Sequence, residues 1–174
     1  MREVKQLTEN KFLNIKEVHD PENHCKGYQF AERRGVDSIA FICYDVSTKQ
    51  FLVNNEYKPP VNRFIEGAFG GSLDKDKSLI DIVVDEVEEE AGFVDNSVRW
   101  NIVNVGKVFV STQMNQYCYL FLIVVDKSKQ VATKPENAIE AMAQTKWRSE
   151  KEILDGEDWK AITITYLAEK SDLL

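Results

Sequence analysis

The sequence predicts an α/β protein, a mixed β-sheet covered by helices on its faces. Three observations carry this expectation. Short runs rich in β-branched and aromatic residues recur along the chain in the pattern of strands. Helical spacing of apolar residues is strongest in the middle, over Ser78–Ala91, and near the end, over Asp158–Lys170. With 174 residues, 43% of them hydrophobic, the chain is one domain's worth and long enough to bury a core.

The strand candidates, in order, are Phe12–Val18, Tyr28–Arg33, Ser38–Tyr44, Gln50–Glu56, Val98–Phe109, Tyr117–Val125 and Thr145–Arg148. Asp45–Lys49 (DVSTK) reads as the hairpin turn between two of them. The middle helix carries Leu79, Ile82, Val83 and Val87 at helical spacing. Ser78 with Asp81 resembles a capping box, and Gly92 is a natural stop. The last helix presents Trp159, Ile162, Tyr166 and Leu167. A short helix is expected from Ser149 (SEKEILDG), ended by Gly156. Trp100, Trp147 and Trp159 read as core or interface anchors, and Tyr117, Tyr119 and Phe121 as one packed face of a strand.

Charge and cysteine usage narrow the function classes. Lys and Arg number 22 against 29 Asp and Glu, a formal net charge of −7. That sign disfavours a general nucleic-acid binder or an anionic-membrane binder, although a metal ion could still bridge a phosphorylated substrate to carboxylates. The surplus has one address: residues 74–95 hold nine acids and two lysines, and the remainder is neutral. Cys25, Cys43 and Cys118 are odd in number and widely spaced, which argues against a disulfide framework or a cysteine zinc site. His19, His24 and Cys25 lack a fourth ligand and read as a surface loop. The start, Met1–Phe12, has no apolar signal region, and the longest apolar stretch, Tyr117–Val125, is nine residues. A soluble, cytoplasmic protein is expected.

The chemistry concentrates in Gly70–Phe93 (GGSLDKDKSLIDIVVDEVEEEAGF). In an α-helix Glu86, Glu89 and Glu90 share one face, where like charges repel. They also sit in the last turn, where the helix dipole disfavours negative charge. A hard divalent cation is a reason to accept both penalties, because Mg²⁺ takes oxygen ligands and keeps waters that phosphate can replace. The Gly-Gly loop ahead of the helix lets backbone approach a ligand closely.

This stretch resembles the Nudix box. From Gly71 the spacing to Gly92 runs without a gap, and Glu86, Val87, Glu89, Glu90, Gly92 and Phe93 match the family pattern. Two positions depart from it: Lys77 stands where the family has Glu, and Asp85 where it has Arg. In the family these two form an ion pair tying loop to helix. Both have reversed together here, so a salt bridge with exchanged signs is expected, with the metal site intact. A register starting at Gly70 would put Asp76 at the acidic position but needs one extra residue before Asp85.

Outside the box the resemblance is to the ADP-ribose and nucleotide-sugar pyrophosphatase branch. It rests on Phe51–Pro60 (FLVNNEYKPP), Phe64–Gly71 (FIEGAFGG), Phe30–Gly35 (FAERRG) and Leu154–Leu167. It implies a Nudix-type α-β-α sandwich with a mixed β-sheet, one domain over residues 1–174, and N-terminal strands over about 1–35. It further implies Mg²⁺-dependent hydrolysis of a diphosphate joining a nucleoside to another group, most simply ADP-ribose or a nucleotide sugar, with Mn²⁺ as a second option. The metal would be held by the Gly70 carbonyl, Glu86, Glu89 and Glu90. Substrate contacts would come from Arg34, Lys58 and Glu66, although the glutamate of the branch motif falls on Gly67, one residue beyond Glu66. The general base would be Glu140 or Glu136 in PENAIEAMAQ, with Glu140 preferred, or Glu89 in the box. Partners would be a small nucleoside diphosphate derivative and, through Lys5–Arg34, a second copy of the chain, with no nucleic acid and no membrane. The alternative is a Nudix-fold module that binds a nucleotide without cleaving it.

Overall fold

The computed structural model describes residues 1–94, 98–134, 138 and 140–174. The chain forms β1 (Glu3–Gln6), β2 (Leu13–Asp20), β3 (Cys25–Arg33), β4 (Ser38–Asp45) and β5 (Gln50–Lys58). Then come β6 (Arg63–Gly67), β7 (Phe69–Ser72) and α1 (Leu79–Glu86). After these follow β8 (Ile102–Ser111), β9 (Met114–Val125), β10 (Gln144–Arg148), α2 (Glu150–Leu154) and α3 (Trp159–Lys170). The strands make one mixed sheet in the order β1-β2-β3-β9-β4-β5-β10, with β6 on β5, β7 on β4 and β8 on β9. Pairings β3–β9 and β4–β9 are parallel, and the others are antiparallel.

The central strands are continuous apolar runs because both faces of the sheet are covered. All eight residues of β4 (SIAFICYD) are buried. Ile39, Phe41 and Cys43 point to one face, where Ile82 and Val83 of α1 pack with Val87, Ala91 and Phe121. Ala40, Ile42 and Tyr44 point to the other, where they meet Ile153 of α2 and Ala161, Ile164 and Ala168 of α3. The result is the expected α-β-α sandwich. Cys43 and Cys118 are core residues, both fully buried.

Three expectations need correction. The strand expected from Val98 begins at Ile102, because Val98–Asn101 forms a turn of 3-10 helix. Trp100 in that turn is 85% exposed and anchors no core. The middle helix is α-helical only to Glu86; Val87–Ala91 is a turn of π-helix. Among the described residues no helix is long and apolar enough to cross a membrane.

One irregularity positions the site. The edge of β4 away from β9 is shared by two strands. β5 takes its end, with Cys43–Asp45 against Gln50–Leu52. β7 takes its start, with Ser38–Phe41 against Phe69–Ser72. Beyond Leu52, β5 therefore leaves β4 and pairs with β6 instead, Asn54–Lys58 against Arg63–Gly67. The sheet forks there, and a cavity opens at the fork.

Candidate active site

The cavity has a volume of about 860 Å³ and is lined by charges of both signs. Its acidic lining is Glu56, Glu86, Glu90 and Glu140, and its basic lining is Arg33, Arg34, Lys58, Lys75 and Lys160. The backbone of Gly70 and Gly71 also lines it.

The acidic wall is built by the helix that follows the glycines. Ser78 caps it, its Oγ accepting from the Asp81 N–H at 3.2 Å. Ile82, Val83 and Val87 lock one side of the helix into the core, which fixes the carboxylates on the other. The π turn then changes their phase. Its wider i→i+5 winding reduces the angular advance per residue, and such turns recur at functional sites. Glu86 and Glu90 face the main cavity. Glu89 is absent from that wall and lines a small adjoining recess with Asn54, Thr133 and Thr145, into which Glu90 and Glu140 also reach. Gly92 ends the turn in the left-handed region at φ 76°, its N–H donating to the Val87 carbonyl. The segment after β9 satisfies the remaining carbonyls. Gln130 Nε2 donates to Ala91 O at 3.1 Å. Backbone N–H groups of Val131 and Lys134 donate to Gly92 O and Glu89 O, each at 2.8 Å.

The two glycines are required by close approach. A Cβ on Gly71 would lie 2.6 Å from Glu86 Oε1, so the Glu86 carboxylate rests directly on the Gly71 backbone. Gly70 donates its N–H to Glu90 Oε2 at 3.4 Å, and a Cβ there would meet Ile39 O at 2.9 Å. The loop between glycines and helix is tied down by Lys77, whose Nζ lies 2.5 Å from Asp85 Oδ2. This is the ion pair with exchanged signs that the sequence suggests.

Electrostatics single out Glu90. Burial above all, then the nearby charge of Glu86, with smaller contributions from Glu140 and Glu56, pushes its carboxyl up to about 8, against the opposing Gly70 N–H. Glu86 has Lys75 Nζ at 3.8 Å. Among the described residues no three His, Cys, Asp or Glu side chains converge into a closed metal cage. The donor set nevertheless suits a hard cation. All its side-chain donors are carboxylate oxygens, and one of them is buried in a field that disfavours its ionisation. Mg²⁺ is commonly held by one or two carboxylates plus substrate phosphate rather than by such a cage.

The basic wall gathers residues from distant segments. Arg33, at the end of β3, donates from Nη2 to Ser72 Oγ at 2.6 Å. Arg34 lies 3.6 Å from Asp74, and Lys58 pairs with Glu56 at 2.6 Å. Lys160 comes from the first turn of α3 and has no ion-pair partner among the described residues. Arg33, Lys75, Lys160 and Glu56 were not legible as site residues in the sequence. Arg33 sits beside Arg34, but nothing in the sequence brings Lys160 to this wall.

Glu66 lies elsewhere. It accepts from Lys146 at 2.6 Å and from Arg148 at 2.7 and 2.8 Å, and it lines a separate cavity of about 230 Å³. The Arg148 guanidinium, aided by Lys146, holds its carboxyl down to about 2. Glu136 is outside the described residues. Cys25 donates weakly to Val18 O at 3.8 Å, and among the described residues no metal-ligating cluster forms around it and the two histidines.

No protein-family model matches this chain, and no curated protein is similar to it. Among solved structures it is similar to one titled "Crystal structure of ADP compounds hydrolase". The TM-score is 0.71 at 12% sequence identity, over 99% of this chain and 95% of that one. At that identity the likeness speaks to the fold, and the fold is Nudix-like.

Proposed function

We propose that this chain is a Nudix-type hydrolase that splits the diphosphate of a nucleoside diphosphate derivative. ADP-ribose or a nucleotide sugar is the first substrate class, and the products are a nucleoside monophosphate and a phosphorylated sugar. The observation that carries this reading is the forked-sheet cavity, where the carboxylates of the box-like helix share one lining with five cations. The solved neighbour of the same fold is titled a hydrolase of ADP compounds, which agrees with that charge pattern.

Each wall has a role in this reading. Arg33, held by Ser72, and Arg34, Lys58 and Lys160 bind the phosphates and fix the diphosphate against the glycine backbone. Glu86, Glu90 and the Gly70 carbonyl would hold Mg²⁺ or Mn²⁺, with Glu89 behind them in the adjoining recess. A divalent cation bound there supplies charge neutralisation and a water of lowered pKa. Glu140, on the acidic wall, accepts the proton of the attacking water.

The test is turnover of ADP-ribose, nucleotide sugars and dinucleotides with Mg²⁺, compared between wild type and Glu90→Gln. The expected result is hydrolysis of at least one, with loss of about 100-fold or more in Glu90→Gln, in line with removal of a group that holds catalytic charge in place. Thermal stabilisation by nucleotide without turnover of any substrate would instead make the chain a binding module.

A further inference from the structure

The fork leaves one backbone group outside both ladders. β6 pairs with β5 as far as Gly67, and β7 pairs with β4 from Phe69. Ala68 falls between them, and its N–H donates to Asp158 Oδ1 at 3.3 Å. The same oxygen caps α3, accepting from Ala161 N at 2.8 Å. One carboxylate oxygen therefore joins the fork of the sheet to the start of the last helix.

The approach is closer than a cap requires. A Cβ on Gly67 would lie 2.7 Å from both Cβ and Cγ of Asp158 and 3.0 Å from Oδ2. Gly67 has no positive φ, so close contact with Asp158 is what calls for glycine there. A helix cap by itself asks nothing of residue 67. Serine would cap α3 as well as aspartate does, but its hydroxyl ends one atom short of Oδ1.

Both ends of this bridge lead to the proposed phosphate site. Gly70 follows Ala68 by two residues, Lys160 follows Asp158 by two, and both line the large cavity. The body of α3 is held through Ala161, Ile164 and Ala168 in the core. Apolar packing is non-directional, so it keeps the helix on the sheet without fixing how far its first turn stands from the glycines. The bridge fixes the backbone from which the Lys160 side chain reaches the cavity.

Resting on the diphosphate-hydrolase reading, we infer that Asp158 is a positioning residue acting through Lys160. Its bridge sets the first turn of α3 against the Gly70–Gly71 backbone, so that Lys160 meets the diphosphate held there. Without the bridge α3 still folds on its core contacts, but Lys160 loses its fixed distance from phosphate.

Equilibrium binding of α,β-methylene-ADP, a diphosphate that cannot be split, tests this apart from catalysis. It is measured with Mg²⁺ on wild type, Lys160→Ala, Asp158→Ser, Asp158→Asn, Gly67→Ala and the double variant Asp158→Ser/Lys160→Ala. Lys160→Ala and Asp158→Ser are each expected to weaken binding about 10-fold, the scale of one charge-assisted hydrogen bond. The double variant is expected to be no weaker than either single, rather than weaker by the product of about 100-fold that independent sites would give. Asp158→Asn, whose amide oxygen keeps the bridge, should recover most of the affinity. Asp158→Ser should keep the wild-type melting temperature, because its hydroxyl still caps the helix. If it melts early, Gly67→Ala carries the same comparison with the cap residue in place, and it is expected to match the loss in Asp158→Ser. Multiplying losses in the double variant, wild-type affinity in both Asp158→Ser and Gly67→Ala, or an Asp158→Asn protein as weak as Asp158→Ser overturns the assignment. Substrate turnover by wild type beside multiplying losses sinks this inference and leaves hydrolysis standing. Losses that do not multiply, without turnover by wild type, do the reverse.

Discussion

Replacing Gly71 by alanine separates function from stability at a single atom. The added Cβ would lie 2.6 Å from Glu86 Oε1 and 2.7 Å from its Cδ, whereas ordinary contact begins at 3.4 Å. The carboxylate must therefore retreat by about 0.8 Å, or the Gly71 backbone must move with it. Gly71 sits in β7 opposite Ile39 without a positive φ, so alanine itself is not strained there. Glu86 is the far end of a flexible side chain and moves cheaply. Removing a glycine also costs the unfolded chain entropy, which offsets part of the crowding by about 0.5–1 kcal/mol. Stability should therefore change by no more than about 1 kcal/mol. Activity should fall far more, since a shift of about 1 Å in a positioning group can cost on the order of 100-fold. The assay is kcat on the best substrate beside a urea unfolding curve. A Gly71→Ala protein with wild-type kcat would refute the view that the Glu86 carboxylate must rest on this glycine.

Further outcomes follow from the same geometry. Gly92→Ala should show the opposite split: its Cβ would meet the Val131 carbonyl at 2.2 Å with φ at 76°, so the urea midpoint should drop by the equivalent of about 2 kcal/mol or more; an unchanged midpoint would contradict the cap. Lys77→Glu and Asp85→Arg should each lower the melting temperature, and the double variant should recover most of the loss, because the pair sits at 2.5 Å; a double variant no better than the singles removes the ion pair from the account. Asp45 gives a pH dependence distant from the site. Hydrogen bonds from Ser47, Lys127 N and Thr48 N outweigh its burial and hold its carboxyl at about 2, against an ordinary 3.8. A depressed folded pKa stabilises fully above pH 4 and ceases to do so as pH falls through about 2, so Asp45→Asn should cost about 2 kcal/mol at neutral pH and progressively less in acid. Unfolding curves from pH 7 to 2 that stay parallel for the two proteins would exclude this.

What could be read from sequence was whatever depends on local pattern. Ser38–Asp45 and Tyr117–Val125 announce buried strands because both their faces are apolar, and Ser78 and Gly92 mark helix ends by their own chemistry. β1, β6 and β7 gave no such signal. EVKQ is exposed throughout, and RFIEG and FGGS are short strands held by their partners rather than by propensity. The fork between β5 and β7 is a tertiary event, so the cavity and its Lys160 wall were invisible. Spacing by itself also placed Glu89 with Glu86 and Glu90 on one face. A switch from i→i+4 to i→i+5 bonding leaves no mark in composition, and Glu89 lies in that turn and lines the adjoining recess. For Glu66 the one-residue offset from the branch motif was the warning, because an offset of one in a strand sends a side chain to the other face.

The acidic stretch that dominates the net charge is less uniform than its composition. Most of its carboxylates near the helix have local cations: Asp81 has Arg99, Asp85 has Lys77, Glu86 has Lys75 and Glu88 has Lys134. Glu90 has none among the described residues; its hydrogen bond comes from a backbone N–H at 3.4 Å, and it is the one whose ionisation is most opposed. A helix selected only for solubility would expose that residue or pair it, as it pairs the rest. Here those neighbours are neutralised, and Glu90, which lines the cavity with Gly70 and Glu86, is left short of positive charge. Under the proposed function, that deficit is what a divalent cation and its phosphate ligand fill. It also explains why Glu90→Gln is the diagnostic variant: the amide keeps the shape, removes the charge that burial opposes, and should raise stability in metal-free buffer while abolishing turnover. Loss of both stability and turnover would mean that Glu90 serves the fold instead.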